Sequence, residues 1–463
     1  MNKKLILTLA TGVACAMTTM ADTYDLYVTG ATAFRQSIHD SCKGLFDVAP
    51  ITNATPSLGT LQYGGSASGG NGALNNGNGQ WVMRGTVSNS VPALGTNELV
   101  IHALFNGSIQ GVQTVENKVK LLFLAKDGSV ITNTPTIGYT DAASSSTPFD
   151  AANTADFAEE KVAVQPFVWV RAVAGSPLMT NINNITYEQA KYLITAGRAK
   201  LSAWTYKATD TNLIYKLSRT QDSGTRRVEL ACNGFGYNQS LTVYNYDQAI
   251  NSYYLAPNNG SNNATGLTGY GIVGAAGNGG ANLTWGPGYV GGGDVRSAVN
   301  IANANNVSIG YLSFADAKTA GLSGSNWSAV ISFNGMYPTI GTNRSFFKDD
   351  KTTPWLWGNT GTNDFSPITS GQYSGYGNET CVYPITDPSA LSADQNLTTA
   401  LLGDATTAGT ILGILHKKYA AGVAPVKGSI EYEIEASKPT GATAIRLSDM
   451  KTARPAVGGV ITP

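Results

Sequence analysis

An α/β protein in two lobes, with Gly/Asn-rich loop insertions, is the architecture the sequence predicts, and three observations predict it. The chain has 463 residues, more than one comfortable core holds. Three times a short apolar strand runs straight into a helical pattern, the handover from which α/β lobes are built. Long tracts such as "GGSASGGNGALNNGNGQ" and "PNNGSNNATG" carry neither periodicity and are expected as loops.

The elements follow in order. "DLYVTG" is a short strand ending in glycine, and "ATAFRQSIHDSCKGLF" sets Phe34, Ile38, Cys42 and Leu45 on one helical face. "ELVIHALF" is a strand apolar on both faces, with "NGSIQGVQTV" as the turn and helix after it. "VKLLFLAKDGSVIT" predicts a hairpin around Asp127-Gly128, leading to "PTIGYTDA". "VAVQPFVWVRAV" is a long strand. In "ITYEQAKYLITAGRAKLSAW", Thr186 and Gln189 have the spacing of a capping box and Gly197 is a helix stop.

"NLIYKLSR" is a strand and "RRVELACNG" a helix closing on Gly234. "DVRSAVNIANANN" predicts a helix whose "GGG" start lacks the strand, spacing and lysine of a nucleotide loop, and "VSIGYLSFADA" a strand running into another helix. "VYPITDPSAL" is a late strand, "ALLGDATTAGTILGILHKKYAAG" a single helix and "GSIEYEIEA" a final strand. No repeat of fixed period is present, which argues against a solenoid or propeller.

Composition narrows the function. Charged residues make up 13% of the chain and the formal net charge is zero, so the basic excess of a nucleic-acid-binding surface is missing. Lys3 and Lys4 precede an apolar run and small residues up to Ala21, the pattern of a secretory signal cut near Ala21-Asp22. Removing those lysines leaves 28 basic against 30 acidic residues. Gly12 stands three before Cys15, where a lipidation site carries an aliphatic residue. No later segment is apolar and long enough to span a bilayer. Cys42, Cys232 and Cys381 allow at most one internal bridge, and the first two fall at core positions.

His39, His102 and His416 lie on separate elements without metal spacing, so no metal or cofactor is expected. Trp204 and the tyrosines are expected in packing rather than as a sugar platform. A hydrolase is not expected, since no nucleophile, histidine and acid form a set.

The chemistry gathers at the strand-to-helix handovers. A helix start leaves backbone N–H groups unpaired at the positive end of the dipole, and small or hydroxyl residues there let an oxyanion come close. Thr32, Ser108 and the Ser223-Gly224-Thr225 turn sit at three such starts. Arg219 adds a permanent charge with planar donors, and Asp141 adds an acceptor. Each has a plainer reading: Thr32 and Ser108 as helix caps, Asp141 as a turn residue, Arg219 as a surface ion-pair partner.

The order of "VTGATAF", "FNGSIQG", "IGYTDA", "ITYEQAKYLITAGRAKLSAW", "SRTQDSGTR", "VSIGYLSFADA" and "VYPITDPSAL" resembles the phosphate-binding subunit of bacterial phosphate ABC importers, a periplasmic two-lobe binding protein of type II fold. The resemblance runs in segments from Tyr27 to Leu391. It implies inorganic phosphate held between the lobes by Thr32, Ala33, Phe34, Ser108, Asp141, Arg219, Ser223, Gly224 and Thr225. In it Asp141 accepts a proton that phosphate has and sulfate lacks.

Two positions depart from the pattern. The first turn is one residue short, leaving Thr32 or the backbone of Ala33 as the contact. Gln221 stands where an aspartate commonly neutralises the arginine, with Asp222 as the alternative.

These readings predict a signal at residues 1–21, a first lobe over 22–168 and 383–463, and a second lobe over 169–382. Hinges are expected near Phe167–Val170 and Val382–Ile385. The expected protein is a monomer in the periplasm or at the cell surface that hands phosphate to membrane ABC importer subunits and makes or breaks no bond. The alternative is an extracellular assembly or adhesion protein that keeps the fold and uses its Gly/Asn-rich insertions.

Overall fold

The structure is a computed structural model that describes residues 22–48, 62–63, 80–105, 107–127, 129–147, 155–172, 177–220, 223–236, 241–247, 252–255, 288–289, 291–301, 307–318, 329–339, 365–385, 397–420, 423–438 and 443–453. The expected signal and its cleavage point, Cys15, Gln221, Asp222 and most of the Gly/Asn-rich tracts lie outside these residues.

The first lobe begins with β1 (Thr23–Gly30) and α1 (Arg35–Gly44), then β2 (Gln62–Tyr63), β3 (Gln80–Thr86), β4 (Glu98–Leu104) and α2 (Ser108–Glu116). The hairpin β5 (Leu121–Leu124) and β6 (Val130–Asn133), β7 (Ile137–Thr140) and the long β8 (Phe157–Arg171) follow. The second lobe holds β9 (Asn184–Ile185), α3 (Tyr187–Ala196), β10 (Arg198–Lys200), α4 (Ser202–Thr205), β11 (Leu213–Leu217), α5 (Gly224–Cys232), β12 (Tyr244–Asp247) and β13 (Ser252–Leu255). It continues through α6 (Gly292–Val299), β14 (Ser308–Ser313), α7 (Phe314–Lys318), β15 (Ala329–Phe333) and α8 (Ser366–Thr369). The chain returns through β16 (Tyr376–Pro384), α9 (Thr399–Leu402), α10 (Ile411–Leu415) and α11 (Ile430–Ser437).

The fold class is the expected one. In the first lobe the strand order is β4-β1-β7-β16-β8, with β4, β1 and β7 parallel and β16 antiparallel to both neighbours. The second lobe repeats the plan as β12-β11-β14-β8-β15, with β8 now the antiparallel member. Each lobe thus inserts one strand from the other's stretch of chain. The two principal apolar cores follow this division, one around Leu26, Ile38, Ile101, Ile137 and Leu412, the other around Trp169, Leu193, Leu217, Val295 and Leu312.

Strand β8 belongs to both sheets. Phe157–Pro166 pair with β16, and Phe167–Arg171 pair with β14. The return passage lies at Tyr373–Tyr376, where the Phe167 N–H donates to the Gly375 carbonyl at 2.7 Å and the Tyr373 hydroxyl donates to the Phe167 carbonyl at 2.8 Å. Val382–Ile385 instead lie within the first lobe, Val382 opposite Gly138 and Glu159, and the Ile385 N–H bonded to Asp156.

Most local signals hold. The Thr186/Gln189 capping box forms in full, and Gly197 ends α3 in the left-handed conformation at φ 69°. Two expectations fail. "GSIEYEIEA" is the helix α11, because Ser429 caps it by accepting from the Tyr432 N–H at 3.2 Å, Glu431 and Glu433 favour its first turn, and Ile430 and Ile434 bury one helical face. The alternation of Ile430, Tyr432 and Ile434 imitates a strand. The single helix expected over residues 400–422 is two, α9 and α10, broken where Gly403 (φ 68°) and Gly409 (φ 77°) turn left-handed and Thr410 caps the second start.

The histidines serve packing: His102 lies 2.9 Å from Asp25 and 2.7 Å from the Leu124 carbonyl, while His416 lies 3.0 Å from the Tyr139 hydroxyl. Cys42, Cys232 and Cys381 are free thiols. Among the described residues no helix is long and apolar enough to cross a membrane.

Beneath α5 a buried ion pair ties helix to sheet, Lys216 Nζ of β11 standing 2.9 Å from a Glu229 oxygen, both side chains almost wholly enclosed. Burial lowers the Lys216 pKa and raises that of Glu229, and each charge offsets the other's cost. Removing one partner strands the other charge in the core. Lys216→Met is therefore expected to destabilise the protein by about 3–5 kcal/mol. Denaturant unfolding checks this, with the Lys216→Met/Glu229→Leu double variant recovering most of the loss.

Candidate anion site between the lobes

The end of β1 fixes the first corner. Gly30 adopts φ 134°, and a Cβ there would collide with the Tyr139 carbonyl, so the chain can pass this close to β7 only as glycine. The Ala31 N–H donates to that carbonyl at 2.8 Å, and the Gly107 N–H donates to the Gly30 carbonyl at 3.0 Å. These bonds bring the starts of α1 and α2 to the C-terminal end of the parallel strands, where open α/β sheets place ligands.

Helix α1 follows the turn Thr32-Ala33-Phe34 and has no side-chain cap. Phe34 sends its ring into the first-lobe core, so this turn offers backbone rather than that side chain. Arg35 folds back to donate to the Thr32 carbonyl at 2.8 Å. Helix α2 begins at Ser108 after Gly107, again without a side-chain cap. The Ser108 hydroxyl donates to Asp141 Oδ1 at the end of β7, and both residues are buried.

The third corner comes from the other lobe. Beyond β11, Arg219 bridges to Tyr289, its Nε donating to the Tyr289 carbonyl at 3.3 Å and its Nη1 to Thr225 Oγ1 at 3.4 Å. Ser223 is the N-cap residue of α5, yet among the described residues its buried hydroxyl caps nothing and has no hydrogen-bond partner. Gly224, the first residue of α5, rests on the Ser108–Asp141 pair. A Cβ at Gly224 would run into the Asp141 carboxylate, so that carboxylate reaches the helix start only because residue 224 has no side chain.

Ser108, Asp141 and Gly224 are thus brought together from three chain-distant turns, with Ser223, Thr225 and Arg219 around them. Thr32, Ala33 and Phe34 form the turn after Ala31, whose N–H holds it to the Tyr139 carbonyl. Burial drives the Asp141 pKa up to about 6, against the Ser108 hydrogen bond and the Arg219 charge, which pull it down. Asp316 adds a smaller push upward.

Several residues here went unnoticed in the sequence. Asp316 accepts from the Ser313 hydroxyl at 2.8 Å and lies over Gly292 at the start of α6, whose N-cap Gly291 N–H is taken by Asp294 at 2.9 Å. The Asp294 pKa is raised by burial, against the pull of the Gly291 N–H and of Arg219. The start of α6 is thus answered by the protein's own acids, whereas α1, α2 and α5 have no side-chain caps. Spacings of Ser313-x-x-Asp316 and Gly291-x-x-Asp294 carry a capping signal that could have found them. Tyr289 acts through its carbonyl, which leaves no such signal.

The arrangement gathers the uncapped starts of α1, α2 and α5, the Arg219 guanidinium and the acids Asp141, Asp294 and Asp316. Such a surface suits a small anion that brings a proton. Among the described residues no group of three His, Cys, Asp or Glu could hold a metal ion.

No family model and no curated protein matches the chain. Solved structures do resemble it. A putative phosphate ABC transporter substrate-binding protein with bound phosphate from Clostridium perfringens aligns at TM-score 0.42 and 11% identity, covering 91% of this chain and 99% of that one. A phosphate-binding protein from Stenotrophomonas maltophilia gives TM-score 0.41 and 12% identity, covering 92% and 91%. An ABC-type phosphate transport receptor from Vibrio cholerae gives TM-score 0.35 and 12% identity, covering 77% and 86%.

Proposed function

We propose that the chain captures inorganic phosphate reversibly between its lobes, as an exported binding protein that delivers it to a membrane importer. The observation that carries the reading is the meeting of Ser108, Asp141 and Gly224 from distant turns, within reach of the Arg219 charge. Thr32, Ala33, Phe34, Ser223 and Thr225 complete the proposed set. The lobes expected at 22–168 with 383–463 and at 169–382 are proposed as the moving bodies, with the second boundary moved to the Tyr373–Tyr376 passage because β16 pairs within the first lobe, and with that passage and Phe167 as the hinge. The alternative of an assembly protein draws no support from the described residues.

In this reading the lobes part, the Asp141 carboxylate leaves the start of α5, and the phosphate takes that place with its oxygens toward the helix N–H groups. Asp141 then accepts the ligand's proton, which an ionised carboxylate can do and a sulfate cannot supply. Closure excludes water and strengthens every charge contact inside.

Calorimetry of the chain from Asp22 with phosphate, sulfate and a phosphonate tests the proposal. Phosphate heat with none from sulfate at neutral pH is the expected outcome, and no phosphate heat refutes it. Arg219→Ala is expected to weaken phosphate binding by about 2–5 kcal/mol, the range for deleting one side of a buried charged contact.

The pKa of about 6 at Asp141 gives a pH sign. Above it the carboxylate rejects sulfate; below it the neutral acid donates to sulfate. Sulfate affinity should therefore rise as the pH falls through about 6. In Asp141→Asn this dependence should disappear and the preference for phosphate narrow.

A further inference from the structure

Behind Asp141 lies a second acid that the reading above does not use. In the ladder of β16 with β7, Val382 faces Gly138, Cys381 faces Tyr139 and Thr380 faces Thr140, and Glu379 and Asp141 are the residues next beyond that last pair. The two chain segments stay close beyond the ladder, where a Cβ on Gly377 would stand 3.0 Å from the Asp141 carbonyl. Glu379 is fully buried, and among the described residues neither carboxyl oxygen has a hydrogen-bond partner.

The neighbouring elements leave the charge of Glu379 unanswered. From β7 the group that acts on it is Asp141, of like charge. Across the other edge its partner in β8 is Ala163. The acids of β8 are engaged elsewhere, Glu159 by the Ser144 hydroxyl and N–H, and Glu160 by His416 and Lys418. On α5, Arg227 donates to the Ser146 carbonyl at 2.7 Å and Glu229 is paired with Lys216, while Val228 packs on Gly377. On α2 the acid is Glu116, at its far end. On its own strand the titratable neighbour is the buried Cys381 thiol, also an acid.

An ionised carboxylate in such a place would be both desolvated and repelled. We propose that Glu379 is a positioning residue of the anion site that keeps its proton through neutral pH, so that the Asp141–Glu379 pair presents one negative charge to the cleft rather than two. Burial and the Asp141 charge both push the Glu379 pKa far above the usual carboxylate range, consistent with Asp141 titrating first. Its loss of a proton at alkaline pH would place a second negative charge behind the acceptor and expel an anion. The alkaline effect on binding rests on the phosphate reading; the protonation of Glu379 does not.

Infrared difference spectroscopy of the full ligand-free chain at pH 8 tests the protonation. A carboxylic acid C=O band present in the wild type, retained in Asp141→Asn and missing from Glu379→Gln is expected. Its absence from the wild type overturns the proposal, and that arm needs no variant to fold.

Phosphate titration from pH 7 to pH 10 tests the consequence. The ratio of Glu379→Gln affinity to wild-type affinity should rise by roughly tenfold or more from pH 7 to the alkaline end, where a like charge this close counts. A constant ratio across the range overturns the electrostatic role, since a merely structural residue would not change with pH. If no form binds phosphate yet the band is found, the phosphate reading fails and the protonated acid stands.

Discussion

Everything at the centre of this molecule is arranged around one buried carboxylate resting on the first residue of a helix. Asp141 is anchored in one lobe by Ser108 and reaches Gly224 in the other. Around it the requirements are set by its charge: a residue without a side chain at 224, a guanidinium within range, helix starts free of side-chain caps, and a neutral neighbour behind. A carboxylate kept in such a place is expensive unless all of these hold together. The same demand explains why α6 is different, since its start is already satisfied by Asp294 and Asp316.

How far the sequence revealed this depends on how local each signal was. Capping residues, stop glycines and the strand-to-helix handovers are written within a few positions, and α1, α2, α3 and α5 could be placed from them. Arg219, Ser108 and Asp141 were legible because each sits beside such a signal. Glu379 was not, because an acid in the apolar strand "YGNETCVYP" looks like an outward-facing residue until the register of β16 against β7 is known. Tyr289 was equally hidden, since it contributes a carbonyl that any residue has. The misreading of α11 has the opposite origin: alternation at Ile430, Tyr432 and Ile434 satisfies a strand and a helix alike, and the Ser429 cap decides between them.

The two lobes share more than a contact surface. Each completes its sheet with a strand that enters from the other side, so neither could close its ladder without the partner's chain. The crossing segments are moreover bonded to each other, through Phe167, Tyr373 and Gly375. In the proposed opening of the lobes, a bonded double crossing would confine them to motion about a common axis, where two separate linkers would let them drift.

Pro166 stands at the point in β8 where one sheet hands over to the other, opposite Tyr376. A proline contributes no N–H to a ladder, so Pro166 donates no bond at the junction. Bending there stretches carbonyl contacts without breaking an amide bond of its own. The fifteen-residue strand thus carries its proline at the handover between the sheets, one residue before the Phe167 that bonds to the return passage.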